Sequence, residues 1–175
     1  MLKIIAIAIL VAVVAILIYA TTKPDTFRVE RTSTIKAAPE KVFALIDDFH
    51  RWPTWSPYEK KDPDMKRAHS GAASGKGAIY EWDGDKNVGK GRMEVTESSP
   101  PSRIVIKLDF LAPFEAHNTA EFTLQAQGDS TQVTWAMYGP ANYVSKLMSV
   151  FFSMDKMVGD DFAIGLANLK AAAEK

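Results

Sequence analysis

The sequence predicts an α+β protein in which a curved antiparallel sheet of about seven strands wraps on a long C-terminal helix, with one transmembrane helix ahead of it. Three observations carry this. The first twenty residues are apolar except for Lys3. Between Phe27 and Pro140, short stretches alternate apolar and polar side chains and are separated by turn formers. From Asn142 to Ala173 the pattern changes to a helical period.

The opening run, MLKIIAIAILVAVVAILIYA, carries only Lys3 as a charge. A helix from Ile4 to Ala20 spans roughly 25 Å, against a bilayer core of about 30 Å. In lipid a helix satisfies every backbone polar group within the segment. A cleaved signal peptide and an uncleaved signal anchor both begin this way. The apolar run is long for a signal peptide, Ile18-Tyr19-Ala20 puts no small residue at the −3 position, and Tyr19 suits a membrane interface. The expectation is an anchor over residues 1–22 and a polar linker over 23–26, where Pro24 discourages a continuous helix. No cysteine follows the run, which excludes a lipoprotein. Flanking charges are nearly balanced. A three-residue tail usually stays inside, so the expected topology is single-pass in the cytoplasmic membrane, with the domain of residues 27–175 on the outer, periplasmic side.

Phe27, Val29 and Ile35 share one parity in FRVERTSTIK, with polar residues between them: a half-buried strand. AAPEKVFALIDDF follows, with Pro39 fit for a first helical turn and Val42, Phe43 and Ile46 as the apolar face. HRWPTWSPY is aromatic and broken by Pro53 and Pro57, so it reads as a second short helix or a tight loop. GAIYEWDG puts Tyr80 and Trp82 together, and GRMEVTE puts Met93 and Val95 together. RIVIKLDF aligns Ile104, Ile106, Leu108 and Phe110; AEFTLQAQ aligns Phe122 and Leu124; TQVTWAMYG aligns Val133, Trp135 and Met137. Turns at DGDKN, SSPPS and GDST make the order a meander with one solvated face. The C-terminal helix is the only long element available to cover the other face.

Composition narrows the function. Lys plus Arg and Asp plus Glu are both 21, and this neutrality argues against nucleic acid and against a polybasic membrane-surface binder. The absence of cysteine excludes disulfides, thiol catalysis and cysteine metal sites. His50, His69 and His117 show no ligand spacing, and no metal or cofactor is expected. The two GKG triplets, Gly75–Gly77 and Gly89–Gly91, precede strands rather than helices, so they read as strand entries or bulges and not as phosphate loops. Asp47-Asp48 and Asp160-Asp161 are sequence neighbours, poor acid/base pairs, and read as solvated surface.

IKAAPEKVFALIDDFHRWPTWSPY resembles the opening segment of the polyketide cyclase/dehydrase family of the START-like (SRPBCC, birch-pollen-allergen-like) superfamily. NVGKGRMEVTESSPPSRIVIKLDFLAPF and TQVTWAMYG are similar to its middle and late strands, and MDKMVGDDFAIGLANLK to its last helix. The resemblance covers nearly all of Phe27–Lys175 and implies the helix-grip fold, with a cavity between sheet and long helix for an apolar or amphipathic small molecule. Strand parity supplies a lining independently: Tyr80, Trp82, Met93, Ile106, Phe110, Phe122, Trp135 and Met137. The helix would add Met148, Phe151, Asp155 and Val158, and Trp52, Trp55 and Tyr58 would sit at the mouth. Each of these except Asp155 is also an ordinary core residue type at a core period. Four of the seven methionines fall between Met137 and Met157, which suits either a loose core or a pliable pocket.

Asp155 interrupts the helical stripe Val144, Met148, Phe151, Val158, Phe162. A buried unpaired carboxylate is costly. Three explanations stand: a pair with a basic side chain of the sheet or the Trp-rich turn, Arg51 among the candidates; a helix break near Ser153, with Asp155 at the start of a second segment; or a polar handle for a ligand. Gly159 and Gly165 are expected to let the helix approach the sheet closely. Inward acid/base candidates are few, since Glu81 has outward parity. The expected function is therefore a membrane-anchored binding domain for a hydrophobic small molecule or lipid, its alternative a cyclase/dehydrase-like enzyme using the same cavity.

Overall fold

The alternating segments pair into one seven-stranded antiparallel sheet in the computed structural model, which describes residues 1–175, the Leu2 side chain excepted. The strands are β1 (Thr26–Ile35), β2 (Lys66–Gly71), β3 (Ala78–Asp83), β4 (Lys90–Ser99), β5 (Arg103–Ala112), β6 (Ala116–Gln127) and β7 (Ser130–Pro140). Their order, β1-β7-β6-β5-β4-β3-β2, is a meander from β2 to β7 with β1 added beside β7. Thr26 lies opposite Pro140 and Ile35 opposite Thr131. The second GKG enters β4 at an irregularity between Lys90 and Gly91, and Gly75, Gly77 and Gly89 have positive φ. These are strand entries and a bulge, as the sequence predicts. β2 has no apolar alternation for periodicity to find. It is a polar edge strand, and its charges blunt an edge that would otherwise pair with another chain.

Five α-helices complete the chain: α1 (Leu2–Thr21), α2 (Pro39–Asp47), α3 (Tyr58–Lys61), α4 (Tyr143–Phe151) and α5 (Met154–Ala173). Pro39 opens α2, and Val42, Phe43 and Ile46 are its buried face. A 3-10 helix, Phe49–Thr54, carries the Trp-rich turn. The expected single C-terminal helix is two helices. Phe152 is extended (φ −125°, ψ 133°), and the Ser153 hydroxyl accepts from Lys156 N at 3.2 Å to start α5. The predicted stripe splits at this break. Val144, Met148 and Phe151 are exposed on α4, while Phe162 is buried under α5.

α5 alone therefore roofs the sheet, through Gly159, Phe162, Gly165, Leu166, Leu169 and Ala173. Its C-terminal half closes on Ile35, α2 and the inward residues of β5–β7, making a solid core with Ile104, Ile106, Phe122, Leu124 and Val133. Gly165 is needed for this approach: a Cβ there would lie 2.6 Å from Trp135 Cζ3. α1 runs out from the sheet end where β1 begins and touches α4, with Tyr143 Oη donating to Leu17 O at 3.2 Å.

Candidate functional site

Between the N-terminal half of α5 and the β3–β4 end of the sheet lies a cavity of about 560 Å³. Its sheet wall is Tyr80, Trp82, Met93, Leu108, Phe110, Ala120, Trp135 and Met137. α5 contributes Met157, Val158, Asp161 and Phe162. The 3-10 helix and the segment after it contribute Trp52, Ser56, Tyr58, Glu59, Lys61 and Met65, and the β3–β4 turn contributes Asn87 and Val88. Phe162 lies flat on Trp135, ring centroids 4.0 Å apart, where the hollow meets the solid core. Lys61, Asn87 and Met157 are the exposed members, so they mark the rim.

Of the residues that strand parity, the Trp-rich turn and the C-terminal helix put forward, Trp52, Tyr58, Tyr80, Trp82, Met93, Phe110, Trp135, Met137 and Val158 line this space. Six others do not. Ile106 and Phe122 have the inward parity but sit in the solid core at 0% exposure. Parity tells which face a side chain takes, not how far along the strand the hollow extends. Trp55 is also fully buried. Its Nε1 donates to Leu45 O at 2.8 Å, and its ring packs edge-on against Phe122 and Trp135, so it plugs the core rather than the mouth. Met148 and Phe151 lie outside the hollow because α4 has left the stripe. The sixth is Asp155.

Asp155 is held by Arg31 on β1. Nη1 donates to Oδ1 at 2.9 Å and Nη2 to Oδ2 at 3.1 Å, and Nη2 also donates to the Asp155 carbonyl at 3.0 Å. The Arg31 hydrogen bond keeps this carboxyl below its usual range. Asp155 also sits in the first turn of α5, where a negative charge is favoured. Both structural explanations of this residue hold at once, with Arg31 in place of Arg51, which lies beside Asp48 instead. The two acidic pairs are less solvated than their spacing suggests. Asp161 pairs with Lys61 at 2.6 Å on the cavity wall, and Asp47 accepts from Ser98 at 2.8 Å.

The main polar group of the cavity is one the sequence reading passed over. Glu59 is 8% exposed. Its Oε1 accepts from Tyr80 Oη at 2.7 Å and its Oε2 from Arg67 Nε at 2.7 Å. Burial, then the Glu59 acceptor, pushes the Tyr80 phenol up. Burial, then the nearby charge of Asp161, does the same to Tyr58. Both phenols stay neutral donors through the physiological range. Trp135 Nε1 is the buried side-chain polar atom left without a partner among the described residues. No cluster of three metal-ligating side chains occurs among them either. The signal that could have exposed Glu59 is a carboxylate directly after Tyr58 on the four-residue helix YEKK, whose other two members, Lys60 and Lys61, take the solvent side.

A family model described as polyketide cyclase/dehydrase and lipid transport matches residues 26–174. No curated protein matches the chain. Solved structures share its fold. A protein from Chromobacterium violaceum is 16% identical at a TM-score of 0.59, over 87% of this chain and 99% of that one. The Aha1 dimer from Colwellia psychrerythraea is 17% identical at 0.57, over 85% and 96%. The di-domain ARO/CYC BexL from the BE-7585A biosynthetic pathway is 16% identical at 0.63, over 90% of this chain and 53% of BexL.

Proposed function

The chain belongs, over residues 26–174, to the polyketide cyclase/dehydrase and lipid transport family, and on that premise we propose that it is a membrane-anchored domain that binds a hydrophobic small molecule or lipid in its cavity. The observation that carries this is the hollow itself. About 560 Å³ walled by aromatic, methionine and aliphatic side chains has the size and chemistry of a small-molecule site. The few polar groups, Glu59, Tyr58 and the Lys61–Asp161 pair, would orient an amphipathic guest. The anchor in this reading is α1, whose Lys3–Thr21 stretch has a mean hydropathy of 3.0 and is long enough to span a bilayer. This reading sets the domain on the outer side of that membrane.

Binding without chemistry is favoured because a general acid or base must be free to exchange a proton with its substrate. Glu59 is instead committed to two donors. A cyclase/dehydrase-like enzyme is the second reading, and the Tyr80–Glu59 pair on the cavity wall is what favours it. Native mass spectrometry of the detergent-extracted full chain tests both. A co-purifying lipid or hydrophobic compound supports binding. An extracted compound whose mass differs between wild type and Glu59→Gln favours chemistry. A chain that carries nothing, and takes up no lipid from mixed micelles, overturns both readings.

A further inference from the structure

Resting on the membrane-anchor reading, we propose that the end of the sheet from which α1 emerges is a bilayer-docking surface, with α4 lying in the lipid interface and the cavity rim facing it. Outside α1, nearly every large apolar side chain left exposed lies in two segments. One is the end of β5 with the β5–β6 turn, carrying Leu111 and Phe114, the latter 75% exposed. The other is the stretch from Tyr143 to Met157, including Val144, Met148 and Phe151. Ile164 on α5 is the exception among the described residues.

The strand register brings both segments to one end of the molecule. Phe110 faces Ala116 across the β5–β6 turn, Thr119 faces Tyr138 near the end of β7, and Thr26 faces Pro140 at the start of β1. The end of α1, the start of α4 and the β5–β6 turn therefore lie side by side. Lys90 faces Ala112, so the β3–β4 turn joins them.

Depth follows from one hydrogen bond. Tyr143 Oη reaches the carbonyl of Leu17, four residues before α1 ends at Thr21. At 1.5 Å per residue, that is about 6 Å inside the end of the apolar helix. An interfacial helix buries its apolar face roughly 5–10 Å into the headgroup and acyl boundary, so α4 sits at the matching depth. Its single charge, Lys146, turns away to pair with Asp25 in the segment after α1 and leaves the outer face uncharged. The occupant is the bilayer because the patch is continuous with the helix that would already be inside it. Met157 belongs to the patch at 60% exposure and also lines the cavity, as does Asn87 of the adjoining β3–β4 turn. A guest would thus pass between lipid and cavity without crossing bulk water.

The chain has no cysteine, so single thiols can be placed at will. Phe114→Cys and Phe151→Cys probe the patch, and Asp129→Cys probes the opposite end, in the β6–β7 turn. Each full-length variant is labelled with a fluorophore and reconstituted into phosphatidylcholine vesicles. Flotation with the vesicles, resistant to alkaline carbonate, reports insertion of α1. Docking is read from quenching by lipid-borne nitroxides against quenching by aqueous iodide. The expected result is strong lipid quenching and loss of iodide access at positions 114 and 151, with the reverse at 129. In a Phe114→Glu/Phe151→Glu chain, flotation should persist while a label at Met148→Cys loses its lipid quenching. Iodide reaching all three positions alike in floating protein overturns the docking alone. Protein that fails to float overturns the anchor and the docking with it.

Discussion

Asp155 and Arg31 tie the first turn of the roofing helix to β1, 124 residues away in sequence. Arg31 lies on the inward parity of its strand, the same side as Val29 and Ile35, so each partner interrupts an apolar pattern with opposite charge. That pair of interruptions was the legible signal; only the tertiary approach of α5 to β1 joins them. Gly159 makes room, because a Cβ there would run into the Arg31 guanidinium. Asp155→Asn is expected to lower the melting temperature and to leave ligand retention unchanged, since the side chain lies outside the cavity. Gly159→Ala should destabilise the wild type by displacing Arg31. It should cost less in the Asp155→Asn background, where the helix-propensity gain of about 1 kcal/mol is no longer opposed by a broken pair. Additive melting shifts would show that the two positions do not share Arg31. At the cavity, Glu59→Ala leaves Tyr80 Oη without its acceptor and Arg67, still bonded to backbone carbonyls, without its carboxylate. A loss of about 2 kcal/mol in urea unfolding is expected.

At the scale of elements, the break at Phe152-Ser153 decides which apolar residues are core. The helical period runs through it without a change in composition, so the pattern alone reads one helix. Ser153 was the visible sign, since a serine hydroxyl caps a helix start better than it serves in a helix interior. β2 escaped notice for the converse reason: it is a strand by hydrogen bonding and has no buried face. The second glycine of α5 sets the height of the roof. In Gly165→Ala the new Cβ would meet Trp135 at 2.6 Å and Pro57 Cδ at 3.0 Å, and both are rigid rings. Overpacking of this kind should cost about 1–3 kcal/mol. Trp135 is a cavity wall, so uptake of an environment-sensitive apolar dye should fall as well. A stable variant with unchanged dye uptake would show that the helix can lift without disturbing the cavity.

At the scale of the whole molecule, one pair on the solvated side of the sheet links stability to pH. Asp109 and His117 lie opposite each other on β5 and β6, Nδ1 to Oδ1 at 2.7 Å. Burial alone would raise Asp109, but hydrogen bonds from His117 and Lys107 outweigh it and hold this carboxyl low. The Asp109 hydrogen bond raises His117. A histidine raised in the folded state contributes its stabilisation in full below its unfolded value, near pH 6.5, and loses it as pH climbs through the folded value. The melting difference between wild type and His117→Ala should therefore be widest in mild acid and close on the alkaline side. A gap that widens with pH would contradict the pairing.

The sequence by itself determined the α+β class, the meander, the inward parity of each apolar strand and the apolar N-terminal helix. Those features repeat every two or 3.6 residues, or persist as an unbroken run, and so they are local. Tertiary structure alone decided where along those inward faces the protein is solid and where it is hollow. That division depends on how closely α5 can descend, which two glycines, the plug of Trp55 and the Arg31–Asp155 tie settle between residues far apart in the chain. It also carried Met148 and Phe151 to the surface beside α1 and brought Glu59 into the cavity wall. No periodicity encodes a distance between elements, and a cavity is made of such distances.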